Sequence, residues 1–194
     1  MSRNGQAIWM LQTKRADFSA IAERYHISPV TARIIRNREV IGEQEIERYL
    51  YGTKEELYDP HLLKDMDSAV EILREKIQTG MRIRIVGDYD IDGICSTYLL
   101  YQGLLRCGAK VDYQIPERIR DGYGINESII RQASEEEIDT IITCDNGIAA
   151  FEQIGIAREL GMTVLITDHH EVPQREDGEE LLPPANAIVN PKQR

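Results

Sequence analysis

From residue 82 onward, short apolar runs alternate with stretches whose apolar positions recur every three or four residues. Strands alternating with helices read this way, so the pattern predicts βαβ units and a mainly parallel sheet. Expected strands cover 82–87, 111–115, 140–144, 163–167 and 187–189, with helices at about 93–106, 126–133 and 148–160. The polar, acidic stretch 174–184, with Gly178 and two prolines at its end, reads as an exposed loop.

Upstream the texture is helical. Phe18, Ile21, Ala22 and Tyr25 share one face of a short helix over 17–25, and Ser28-Pro29 supplies an N-cap followed by proline at the first helical position. That opens a second helix to about residue 36, with a third over 44–51, a linker over 52–60, and a longer helix over 66–78. The longer helix turns Ala69, Val70, Ile72, Leu73 and Ile77 inward and stops at Gly80. The two short helices with a tight connection suit either a helix-turn-helix or a small helical packing unit, because local shape does not give function. The predicted architecture is α/β: a mainly parallel five-stranded sheet flanked by helices over 59–194, preceded by a small helical region over 1–58.

With 42% hydrophobic and 29% charged residues, 194 residues suffice for one sizeable core and an appendage. No apolar run approaches the roughly 20 residues of a membrane span, and no signal-peptide pattern opens the chain, so a cytoplasmic protein is the default. Cys95, Cys107 and Cys144 lack metal-ligand spacing and read as reduced, buried thiols. The net charge of −10 argues against a simple electrostatic clamp on nucleic acid, yet residues 1–40 carry +4, which concentrates the acid in the remainder.

Where that acid sits carries the chemistry. Asp88, Asp90 and Asp92 follow the first strand at alternate positions, Asp145 follows the third, and Asp168 follows the fourth and leads into His169-His170. In an open parallel sheet, ligands bind beyond the carboxyl ends of the strands, so these residues should converge on one edge. Repelling carboxylates gathered in this way call for a cation. Imidazole beside carboxylate suits manganese, iron or zinc better than calcium.

Together, Asp88-Tyr89-Asp90-Ile91-Asp92-Gly93, Thr143-Cys144-Asp145-Asn146-Gly147 and Asp168-His169-His170 resemble the first three motifs of the DHH phosphoesterases. Within that superfamily, Asp-Tyr-Asp-x-Asp-Gly is similar to the RecJ-type single-strand-specific exonucleases, as are Ile115-Pro116-Glu117-Arg118, Asp121-Gly122-Tyr123-Gly124-Ile125-Asn126 and the segment from Asp17 to Arg38. The resemblance implies hydrolysis of phosphodiesters from the 5′ end of single-stranded DNA with two manganese or magnesium ions, in DNA repair and recombination. It implies Asp145 as the bridging ligand, Asp90 on one ion, and Asp92 with His169 on the other. Asp88 stands where relatives carry histidine and ranks last among the ligands. His170 would contact a phosphate oxygen or the leaving group, and Asp168 would orient its neighbours. Arg118 reads either as the holder of a substrate phosphate, since a guanidinium fork matches phosphate oxygens, or as an ordinary surface arginine. Tyr123 is placed either to stack on a base or to pack under its own loop.

Relatives continue past Ile188-Val189-Asn190-Pro191 with a fourth aspartate-bearing motif, a second phosphoesterase domain and an oligonucleotide-binding barrel. The expectation is therefore an N-terminal piece with an incomplete site, weak metal binding and little exonuclease activity. Expected partners are single-stranded DNA and single-strand-binding or replication and repair proteins, with no membrane and a monomeric state. Two competing functions are a DHH phosphodiesterase on short oligonucleotides or cyclic dinucleotides and a non-catalytic DHH-fold scaffold for replication proteins.

Overall fold

The computed structural model describes residues 14–117 and 124–194. The chain divides into two compact units, one up to Tyr58 and one from Asp59 onward. In the first, α1 (Phe18–Tyr25), α2 (Pro29–Asn37) and α3 (Glu43–Tyr51) close over Tyr25, Ile35 and Ile46. Asp17 caps α1 by accepting from Ala20 N, and Ser28 caps α2 by accepting from Thr31 N at 3.0 Å. His26 makes the turn between them in the left-handed region at φ 53°. Several of the unit's bases are engaged internally. Lys14 pairs with Glu39, Arg24 with Glu43, and the Arg33 guanidinium lies 4.6 Å from the centre of the Phe18 ring. The basic balance read from residues 1–40 is thereby partly spent on local contacts.

In the second unit, α4 (Met66–Gln78) precedes β1 (Arg82–Val86), α5 (Ile91–Arg106), β2 (Lys110–Gln114), α6 (Glu127–Glu135), β3 (Thr140–Cys144), α7 (Phe151–Glu159), β4 (Thr163–Thr167) and β5 (Ala187–Val189). The five strands form one sheet in the order β2-β1-β3-β4-β5, every neighbouring pair parallel. The predicted parallel sheet is thus observed, with β1 and β2 each displaced by at most one residue from the expected bounds. Alternation along the strands sorts side chains to two covered faces. Ile83, Ile85, Ile142 and Leu165 pack under Ala69 of α4 and Leu104 of α5, whereas Val86, Ile141, Val164 and Ile166 pack under Ile129 and Ile130 of α6 and Ile154 of α7. Because α5 and α6 cover opposite faces, the chain reverses its winding between β1 and β3. That reversal opens a crevice at their carboxyl ends.

One charged group is built into the sheet. Arg84 of β1 is 6% exposed and faces its register partner Asp112 of β2, donating from Nε and Nη2 to the two carboxylate oxygens at 2.7 and 2.8 Å. The same Nη2 reaches Glu136 at 2.5 Å and holds the Glu136 carboxyl below its usual range. A carboxyl depressed in the folded state stabilises the fold above its unfolded value, about pH 4.3, and that contribution is lost as pH falls through the folded value. Glu136→Gln is accordingly expected to show a shallower fall in melting temperature below about pH 4.3 than the wild type. Parallel acid limbs in thermal melts from pH 6 to pH 3 would contradict this.

Candidate metal centre

The crevice between β1 and β3 receives its groups from strand ends and helix starts. After Val86 the chain turns at Gly87, buries Asp88, and caps the start of α5 with Asp90. Asp90 Oδ1 accepts from Gly93 N at 3.0 Å, capping the helix and drawing the Asp90 carboxyl below its usual value. Gly93 is required at this closure. A Cβ there would lie 2.5 Å from the carbonyl oxygen of Asp88 and 2.7 Å from its Cα, so only glycine lets the first turn of α5 lie against the Asp88 backbone.

From β3, Asp145 enters the crevice with φ 62°, a left-handed backbone that aspartate tolerates better than most residues. Burial pushes its carboxyl upward, and the neighbouring Asp90 charge adds to the shift. Ligand atoms of Asp88, Asp90 and Asp145 lie within 4.8 Å of one another, and so do those of Asp145, His169 and His170. Asp145 belongs to both groups. His169 Nε2 lies 2.8 Å from Asp145 Oδ1.

Asp168, at the end of β4, has a different task. Its Oδ1 accepts from the backbone N–H groups of His169 (2.7 Å) and His170 (3.1 Å), and its Oδ2 accepts from Ile148 N (3.0 Å). His170 Nδ1 lies 2.7 Å from Asp168 Oδ1, which fixes the ring and favours the proton on Nδ1. The two imidazoles face different cavities. His169 lines one of about 300 Å³ with Asp92, Ser96, Asp145 and Thr167, and His170 lines one of about 370 Å³ with Gly124, Ile125, Ile148 and Ala150. Asp92 sits on the exposed first turn of α5 and belongs to neither close group. Arg118 and Tyr123 lie outside the described residues.

Asp88 decides whether these residues suit a cation. It is 0% exposed, and neither carboxylate oxygen has a hydrogen-bond partner. A buried carboxylate without a partner is costly, and Asp90 and Asp145 beside it compound the repulsion. Manganese takes carboxylate oxygens together with imidazole nitrogen, magnesium favours the oxygens, and either charge would offset both penalties. The donor set therefore fits manganese or magnesium, with Asp145 placed to serve two positions. The sequence placed Asp88 last among the ligands, while burial makes it the residue with the greatest need of a cation. Asn146, whose side chain spans the crevice, was visible in the sequence only as part of an Asp-Asn-Gly turn.

The sequence model for the DHH family, N-terminal domain, matches residues 82–194. The chain is 38% identical over 186 residues to the single-stranded-DNA-specific exonuclease RecJ of Bacillus subtilis, covering 95% of this chain and 23% of that protein. Against the Escherichia coli protein of the same name the identity is 35%, covering 95% and 30%. The chain thus spans less than a third of the length of these relatives. A crystal structure of exonuclease RecJ bound to manganese superposes with a TM-score of 0.61 at 34% identity, covering 70% of this chain and 33% of that one. The parallel sheet, the acids at its carboxyl edge and the match over residues 82–194 agree: the chain belongs to the DHH family.

Proposed function

We propose that this chain is the metal-binding portion of a RecJ-like, two-metal phosphodiesterase that degrades single-stranded DNA from the 5′ end in DNA repair and recombination. Asp88 carries the proposal, as a buried carboxylate with both oxygens unpartnered in a crevice shared with Asp90 and Asp145. The single-stranded-DNA-specific exonuclease activity of the RecJ relatives and the manganese of the RecJ crystal structure support it. Asp88, Asp90, Asp92, Asp145 and His169 would hold manganese or magnesium. When bound, such ions supply an acidified water and screen charge on the phosphate and leaving oxygen.

The chain's own residues do the remainder. Asp145 is shared between the two ligand groups, Asp168 orients both histidines through three accepted hydrogen bonds and is itself anchored by a fourth from Ile148 N, and His170 is held where it would meet a phosphate oxygen or the leaving group. Arg118 would hold a substrate phosphate, because a guanidinium fork matches its oxygens. The share of the relatives that the chain spans supports the further proposal that full activity needs additional domains; single-strand-binding or replication and repair proteins are proposed as partners of the whole enzyme.

Manganese titration by calorimetry tests the site directly. The wild type is expected to bind, weakly, and Asp145→Ala to lose the heat of binding altogether, with little hydrolysis of a 5′-labelled oligonucleotide by either. Indistinguishable titrations of wild type and Asp145→Ala would remove the metal centre, and rapid processive degradation by the 194-residue chain would remove the incomplete-site proposal.

A further inference from the structure

Asn146 follows Asp145 directly, in an Asp-Asn-Gly sequence that ordinarily marks an exposed turn. Here its side chain is 2% exposed and every hydrogen-bonding group on it is used. Nδ2 donates to Val86 O at 3.1 Å and to Cys144 O at 2.9 Å, and Oδ1 accepts from Ile125 N at 3.2 Å. The orientation of the amide is unambiguous, because two of the partners are carbonyls and the third is an N–H.

The partners define what the residue does. The β1–β3 ladder ends at the pair Val86 and Thr143. Beyond it Gly87 N bonds to Gln114 O of β2, and Asp145 N bonds to Thr167 O of β4, so each strand is tied to its outer neighbour. The Asn146 amide replaces the ladder across the gap, and it does so one residue before Gly87-Asp88 and one before Asp145. Its third bond holds the segment entering α6, where Gly124 at φ +65° packs so closely that a Cβ would lie 3.0 Å from the Asn146 Cβ.

We infer that Asn146 is a positioning residue that fixes the separation of Asp88 and Asp145 by bracing the ends of β1 and β3, and that couples this crevice to the segment at Ile125. The inference rests on the metal-centre proposal. No other side chain supplies the same set of bonds: aspartate lacks both donors, serine has one, and glutamine is a methylene too long for a fully packed position.

The test separates positioning from general destabilisation. Asn146→Ala is compared with a control far from the crevice, Leu104→Ala or the milder Leu104→Val, whichever matches its loss of melting temperature. Manganese affinity is expected to fall tenfold or more in Asn146→Ala and less than threefold in the control. Hydrogen exchange at the Ile125 amide is expected to accelerate at least tenfold in the Asn146 variant alone. Equal affinities in the stability-matched pair would overturn the inference, as would unchanged exchange at Ile125. If the wild type itself binds no manganese, the metal-centre proposal fails first and this one with it. Should Asn146→Ala not fold, Asn146→Ser, which keeps one donor, carries the same comparison.

Discussion

Asp88→Asn is expected to make the metal-free protein more stable and to abolish its response to manganese. The wild-type side chain is fully buried, its two oxygens are unpartnered, and Asp90 and Asp145 lie within ligand distance. An amide of the same shape removes the charge at the cost of leaving a neutral polar group in its place, a smaller penalty of about 1–3 kcal/mol against several for a buried ion. A net gain of about 1–3 kcal/mol corresponds to a rise of roughly 3–10 °C in melting temperature for a unit of this size. Metal reverses the order. A ligand at one hundred times its dissociation constant stabilises the form that binds it by about 2.7 kcal/mol. The wild type should therefore overtake the variant as manganese is added, while the melting curve of Asp88→Asn stays where it was. Thermal melts across a manganese series read both halves of the effect. A variant less stable than wild type without metal, or one that shifts equally with it, would show that Asp88 is held by something other than a cation.

Much of this centre was legible in the chain because its acids follow apolar runs of strand length, and the carboxyl ends of parallel strands share an edge. Periodicity placed the strands within a residue because both faces of the sheet are covered, which leaves strongly apolar runs such as Thr140–Cys144. The strand order is carried by no local signal. It depends on which ladders form between segments far apart in sequence. The difference in burial among the three leading acids went unread for a related reason. Alternate spacing treats Asp88, Asp90 and Asp92 alike, but α5 begins at Ile91 with Asp90 as its cap, so Asp88 stays in the core while Asp92 rides out on an exposed turn. Arg84 and Asn146 were invisible as interior groups because their partners lie far along the chain, Glu136 at 52 residues from Arg84 and Val86 at 60 from Asn146. In α5, helical spacing of apolar residues did not announce that Ile91, Ile94, Tyr98 and Leu99 would stay exposed, and for the same reason Cys95 and Cys107, expected to be buried, are exposed while Cys144 of β3 is buried.

The two glycines of α5, Gly93 and Gly103, should respond to alanine in opposite directions. Helix propensity alone favours alanine over glycine by about 1 kcal/mol at an interior position. At Gly103 nothing lies within 4 Å of the added Cβ, so Gly103→Ala is expected to stabilise the protein by about 0.5–1 kcal/mol. At Gly93 the same carbon would stand 2.5 Å from a backbone oxygen and 2.7 Å from two backbone carbons of Asp88. No rotamer change relieves a clash with main chain. The first turn of α5 must lift away, and with it goes the Gly93 N–H that caps against Asp90. Overpacking of this kind costs about 1–3 kcal/mol or more, which outweighs the propensity gain and leaves Gly93→Ala destabilised by about 2 kcal/mol. Because the displaced turn carries Asp90 and borders Asp88, manganese binding should fail well before the fold does. Urea denaturation and calorimetric titration of the two variants side by side measure the contrast. If Gly93→Ala matched Gly103→Ala in both stability and manganese affinity, the close approach of α5 to Asp88 would not be what holds the proposed metal ligands in place.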